Sequence, residues 1–75
     1  MTQSQLEMLR NSGGKAVTIT CADGEILRGT VPYMDNEYQD VTCDLISSNR
    51  PEKYTKGGCY AIRWDDIVDV RESSN

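Results

Sequence analysis

Asp35, Glu37, Asp40 and Asp44 form a dense acidic stretch. Clustered carboxylates can hold a hard cation, but a calcium loop of the EF-hand type needs Gly at its sixth position and Glu at its twelfth. Counted from Asp35, those positions hold Asp40 and Ile46. In an extended strand, Asp40 and Asp44 fall on one outer face, an acidic surface suited to a basic protein partner. The basic cluster is Arg50, Lys53 and Lys56, with Tyr54 among them. Basic and aromatic residues interleave this way in single-strand nucleic-acid binders, and the same cations could pair with the acidic face of a neighbouring subunit. Asp65 and Asp66 are adjacent on a corner and point apart, which does not make an acid–base pair. The chain has no His, the commonest general base near neutral pH. Cys21, Cys43 and Cys59 share no C-x-x-C spacing. They cannot supply a four-ligand zinc site, and read as buried, reduced thiols on strand faces. No catalytic residue, metal site or cofactor is expected, and the chain is not expected to be an enzyme. The lone Trp64 is either a cap on the core or an interface anchor.

Length and charge narrow the classes further. Seventy-five residues allow one domain, residues 1–75, with a small core. Eight Lys+Arg against twelve Asp+Glu give a net charge of −4, which argues against broad, salt-driven binding to phosphates. No apolar run approaches the roughly 18 residues of a membrane helix. The first ten residues lack the basic start and apolar stretch of a signal peptide. A cytoplasmic location without membrane contact is expected.

The elements that must position these residues follow from periodicity. A short helix is expected over about 4–12, with Ser4 and Glu7 as a capping box, Leu6 and Leu9 on one face, and Gly13 and Gly14 ending it. Residues 15–22 alternate apolar and polar as a half-buried strand. Asp23 and Gly24 then signal a hairpin. Residues 25–33 form a second strand with Leu27, Gly29, Val31 and Tyr33 on one face. Gly29 implies a sharp bend there, and Pro32 a change of pairing. A polar turn over 34–37 leads to a third strand over 38–46, with Val41, Cys43 and Leu45 inward. A long loop over 47–58 precedes strands at 59–64 and 67–70, separated by the Asp65–Asp66 corner. The tail, 72–75, is expected to fray. The fold class is mainly β: a short N-terminal helix, then a strongly bent, five-stranded antiparallel barrel over about 15–71, of SH3-like or related type, because curling removes exposed edges.

This order of residues resembles the Sm-like family of small barrels. Asp23-Gly24 is followed five residues on by Gly29, then by Val31 and Asp35. With one extra loop residue, Tyr38-Gln39-Asp40 falls on the family's aromatic-x-Asn positions. Ile62-Arg63-Trp64 and residues 67–70 match its closing strands. In RNA-binding members the aromatic stacks on a base, the Asn reads its edge, and an Arg-Gly pair completes the pocket. The resemblance therefore implies Tyr38, Asp40, Arg63 and Trp64 as candidate RNA-site positions. Two of them depart from the pattern. Asp40 stands where the Asn would be, accepts hydrogen bonds only and repels phosphate. Trp64 fills the Gly position. Family members also assemble into rings by pairing the fourth strand of one chain with the fifth of the next, so a homo-oligomer of that kind is implied.

The segment from Tyr60 to Ile67 is also similar to the closing strands of small, acidic bacterial inhibitors of the transcription terminator Rho, although their N-terminal Cys- and Tyr-bearing signature is absent. The resulting expectation is a binding module that acts through protein contacts or self-assembly, in RNA metabolism or transcription. The alternative is an RNA-binding ring protein in which Tyr38 stacks and Arg63 contacts RNA.

Overall fold

The computed structural model describes residues 1–73. Period-two alternation builds β1 (Val17–Cys21), in which Val17, Ile19 and Cys21 are buried and Thr18 and Thr20 half-buried. Gly24, at φ +91°, takes the left-handed conformation that a tight hairpin needs. The Cys21 N–H donates to the Glu25 carbonyl at 2.8 Å, closing the turn into β2 (Ile26–Asp35).

Two irregularities bend β2 where its sequence marks them. The β2–β3 register shifts between Arg28 and Gly29 and again between Thr30 and Tyr33. At the first, a Cβ on Gly29 would collide with the Asp44 carbonyl oxygen and lie 2.9 Å from Cys43 Sγ, so only glycine lets the strands approach. At the second, Pro32 offers no N–H to a ladder. The second shift also reverses the inward parity. Tyr33, expected to face the core, is 60% exposed, and Met34 packs on the core instead.

The turn expected over 34–37 lies at residues 36–39. Asp35 Oδ1 accepts the N–H groups of Glu37 (2.8 Å) and Tyr38 (2.9 Å), and Gln39 has φ +54°. The third strand, β3 (Asp40–Ser48), therefore begins two residues later than alternation suggests, with Val41, Cys43 and Leu45 buried. Beyond the long loop come β4 (Cys59–Arg63), a single 3₁₀ turn (Trp64–Asp66) and β5 (Ile67–Glu72). Trp64 thus opens the corner rather than ending the strand. All neighbours are antiparallel, in the order β4-β3-β2-β1-β5. A bulge in β5 leaves Val68 between Ile67, opposite Cys21, and Asp69, opposite Thr20. Fraying does not begin at residue 72. Glu72 pairs with Val17, and Ser73 donates its N–H to the Ala16 carbonyl at 3.0 Å. The rest of the expected tail, residues 74–75, lies outside the described residues.

The helix α1 (Gln3–Arg10) is capped by Thr2 and Gln5, not by Ser4 and Glu7. The Gln5 N–H donates to Thr2 Oγ1, and Thr2 N–H to Gln5 Oε1. A helix of eight residues is marginal alone. Docking holds it: Leu9 is buried with Val17, Ile19, Leu27, Val41 and Cys43, and Gln5 Nε2 donates to the Val68 carbonyl at 3.2 Å. Cys21 and Cys43 are buried as expected, but Cys59 is exposed, because it pairs with Asp44 on the outer face of the sheet. Among the described residues no helix is long and apolar enough to cross a membrane.

Gly29→Ala should lower the unfolding free energy by about 3 kcal/mol, the upper end of ordinary overpacking, because two of the three obstructing atoms belong to the Asp44 backbone. Urea denaturation checks this; a loss under about 0.5 kcal/mol would show that the strands can separate freely there.

Candidate functional site

Two corners of the sheet lie together. The Trp64 N–H donates to the Gln39 carbonyl at 2.8 Å, tying the 36–39 turn to the 3₁₀ turn. Pairing places Asp35 opposite Asp40, and Asp40 opposite Arg63, in one row across β2, β3 and β4. Tyr38 stands out at 70% exposure, Arg63 is exposed and Asp40 is half-buried. Arg63 makes no ion pair among the described residues. Trp64 is half-buried against the core, and its Nε1 is enclosed without an acceptor. The four positions Tyr38, Asp40, Arg63 and Trp64 are thus neighbours in the two joined corners, and bring together an exposed ring, an exposed guanidinium and an acceptor-only carboxylate.

The acidic run is less uniform than its spacing suggests. Asp35 is occupied by the turn that it caps, and Asp40 is half-buried. Glu37 and Asp44 are exposed, one in the turn and one on the outer face of β3.

The basic loop is not the solvated, phosphate-ready segment its composition suggests, because most of it is engaged by Glu25, a residue the sequence reading passed over. Glu25 is only 4% exposed. Its Oε2 accepts Lys53 Nζ at 2.7 Å and Arg50 Nη1 at 3.3 Å, and its Oε1 accepts the Tyr54 hydroxyl at 2.7 Å. Arg50 also donates to Asp23 Oδ2 and to the Asp23 carbonyl. Asn49 completes the seam, donating to the Gly24 carbonyl and accepting the Ile26 N–H. Lys56 alone of the four loop candidates stands exposed without such a partner. A signal for Glu25 was present: position 25 shares the inward parity of Leu27, Gly29 and Val31, and an inward carboxylate demands donors.

The electrostatics follow from these contacts. Burial pushes the Glu25 carboxyl up, but the hydrogen bonds from Lys53 and Tyr54 outweigh it and leave the group below its ordinary value. The Glu25 hydrogen bond raises Lys53, while burial and then Glu25 raise Tyr54. Asp23 is lowered first by the Glu25 N–H that it accepts. A cleft of about 280 Å³ is lined by Glu25, Lys53 and Tyr54 of this clamp together with Cys21, Asp23 and Arg63. Burial, then the charges of Glu25, Asp23 and Asp66, push the Cys21 thiol up to about 11. Burial lifts Cys43 to about 11 as well, and Cys59 is raised first by desolvation and then by Asp44. Thiols shifted in this direction are poor nucleophiles near neutral pH. Among the described residues no group of three His, Cys, Asp or Glu could hold a metal ion.

Because the folded state lowers the Glu25 carboxyl, its contribution to stability is complete above the unfolded value of about 4.3 and is lost as pH falls through the lower folded value. Glu25→Gln should therefore cost about 1.5–3 kcal/mol near neutral pH, the range for hydrogen bonds to a charged group. The gap from the parent chain should shrink below about pH 4. Urea denaturation across a pH series checks this; a gap that stays constant with pH would mean that the Glu25 charge does not matter.

No protein-family model matches the chain, and no curated protein matches it. Two solved structures are similar to it. One is an SmAP (LSm) protein from Methanococcus vannielii, with TM-score 0.71 and 23% identity, over 93% of this chain and 96% of that one. The other is a novel Sm-like archaeal protein from Pyrobaculum aerophilum, with TM-score 0.69 and 20% identity, over 92% of this chain and 51% of that one, so the present chain spans about half its length. At these identities the likeness is one of fold. The short helix, the five antiparallel strands of one bent sheet and these neighbours together give the chain the Sm-like fold.

Proposed function

We propose that the chain is a non-enzymatic Sm-like module that assembles, with further copies of itself or with a protein partner, through the edges of β4 and β5. The observation that carries this reading is the strand order, which leaves β4 and β5 at the two ends of the sheet. Hydrogen-bond phase shows which groups are free. Trp64 donates to Gln39 and Leu45 to Gly58 across the β3–β4 ladder. By antiparallel alternation, the N–H groups of Tyr60 and Ile62 face β3, and those of Cys59, Ala61 and Arg63 face outward. On the other edge, Ser73 donates to Ala16, so the N–H groups of Asp69 and Arg71 face β1 while that of Val70 faces outward. Rows of unpaired N–H and C=O groups are templates for another strand. Exposed Val68, at 54%, adds apolar surface at the second edge. The archaeal neighbours are Sm-like proteins, and assembly through these strands is what that resemblance implies.

The RNA-binding alternative rests on Tyr38, 70% exposed, beside the unpaired Arg63. It is the weaker reading. Asp40 cannot donate to a base, and Arg50 and Lys53 are held by Glu25.

Native mass measurement of the parent chain should give an oligomer. Ala61→Pro removes only an outward N–H, so it should give a monomer with an unchanged circular-dichroism spectrum. A parent chain that is strictly monomeric at high concentration would sink the self-assembly form of the proposal. Fluorescence titration with short U-rich and A-rich RNA should show no sub-micromolar binding; such binding, lost in Arg63→Ala, would put the RNA reading first.

A further inference from the structure

Stability alone does not account for Glu25. Its side chain is 6% exposed, and burying a carboxylate carries a desolvation cost that an apolar residue at the same inward position would not. What it does is collect donors from a single loop. We propose that residues 49–58 form a phosphate-binding segment held silent by the β1–β2 hairpin, whose Asp23 and Glu25 carboxylates occupy the loop cations in place of a phosphodiester chain.

The donor set is of the kind a phosphate takes: a guanidinium, an ammonium and a phenol converge on one carboxylate within 2.7–3.3 Å. The charges cancel, Arg50 and Lys53 against Asp23 and Glu25. The cations are nevertheless reachable, since the side chains of Arg50 and Lys53 are 37% and 54% exposed. It is the buried carboxylate that keeps them, because turning them outward would strand its charge. Lys56 is exposed in the same loop, and Arg63 lines the same cleft as Lys53, so freed cations would have two further cations nearby, one in the loop and one in the cleft.

The loop also keeps a scaffold that does not depend on the carboxylates. Tyr54 packs edge-on against Tyr60 with centroids 4.9 Å apart. The Thr55 N–H donates to the Tyr60 hydroxyl at 2.8 Å, and the Gly57 N–H donates to the Leu45 carbonyl at 2.8 Å. Neutralising the hairpin carboxylates therefore releases side chains rather than unfolding the loop. Each chain carries its own hairpin and loop, so this masking is independent of assembly through β4 and β5.

The test is binding of a fluorescent single-stranded RNA 12-mer to the full chain, across a salt series, for Asp23→Asn combined with Glu25→Gln. The parent should bind negligibly. The double variant should gain at least tenfold at low salt. Its log affinity should fall more steeply with log salt by about 1.4, the value for two phosphates newly neutralised on a single strand. Glu7→Gln with Glu72→Gln changes the net charge equally, away from the loop, and should gain nothing. Adding Arg50→Met and Lys53→Met to the unmasked variant should abolish its gain. An equal gain in the Glu7/Glu72 control, persistence after loss of Arg50 and Lys53, or no gain in a variant with a native circular-dichroism spectrum would each overturn the proposal. If the double variant does not fold, Asp23→Asn alone, at an exposed residue, should weaken the hold on Arg50, which Glu25 still shares, and give a smaller gain at low salt that adding Arg50→Met removes; no gain there would equally overturn it.

Discussion

A carboxylate carried into the interior at the start of β2 must be met by donors, and much of the local architecture follows from how Glu25 is met. The hairpin alone cannot satisfy it, since the neighbouring Asp23 carries the same charge. The donors come from Arg50, Lys53 and Tyr54, more than twenty residues away in sequence. That requirement draws the longest loop over the tip of the first hairpin, with Asn49 and the Arg50 contacts to Asp23 closing the seam. The same arrangement forms one wall of the cleft that Arg63 also lines. A group that is costly to bury thus determines where a loop sits and which of its charges can meet solvent.

The curvature of the sheet rests on a second, steric constraint. Gly29 lets β2 approach the Asp44 backbone, and Pro32 interrupts the ladder a few residues later. Both irregularities lie in β2, the middle strand of the sheet, so the bend they produce moves the outer strands toward one another. The cleft takes residues from both ends of this curl: Ala61 to Arg63 from β4, and Cys21 to Asp23 from the end of β1. Yet no ladder joins β4 to β5 among the described residues. Curvature and open edges therefore coexist, and the helix satisfies only part of one edge, through the Gln5 contact to the Val68 carbonyl.

Most of the fold was legible because its signals are local. Alternation identified the buried faces of β1 and β3, and Gly29 and Pro32 each marked a real shift of register. Failures came where two local signals compete or where the decisive partner is distant. Thr2-x-x-Gln5 and Ser4-x-x-Glu7 are overlapping capping boxes, and the earlier one is used. Tyr33 keeps its alternation with Val31 on paper but loses it in space, because the shift at Pro32 changes the parity between them. Asp35 looked like one more surface charge, yet it caps the following turn, and that moves the start of β3. Glu25 was the larger omission. Its inward parity was readable, but its donors lie across a loop whose path no periodicity describes.

The clamp also changes what net charge says about this chain. A balance of −4 treats every Lys and Arg as equally available. In the folded chain, Arg50 and Lys53 are committed to hairpin carboxylates, and Arg71 pairs with Asp69. The basic loop, taken with the hairpin it contacts, presents far less positive field than its composition implies. In the cleft beside the clamp, Arg63 makes no ion pair among the described residues, although Asp40 lies across from it in the ladder. Arg63 is therefore left near an acceptor-only carboxylate and an exposed ring, while two of the three loop cations, Arg50 and Lys53, are neutralised from within. Electrostatic character here is set by which carboxylate each cation reaches, and a sum over the chain cannot express that.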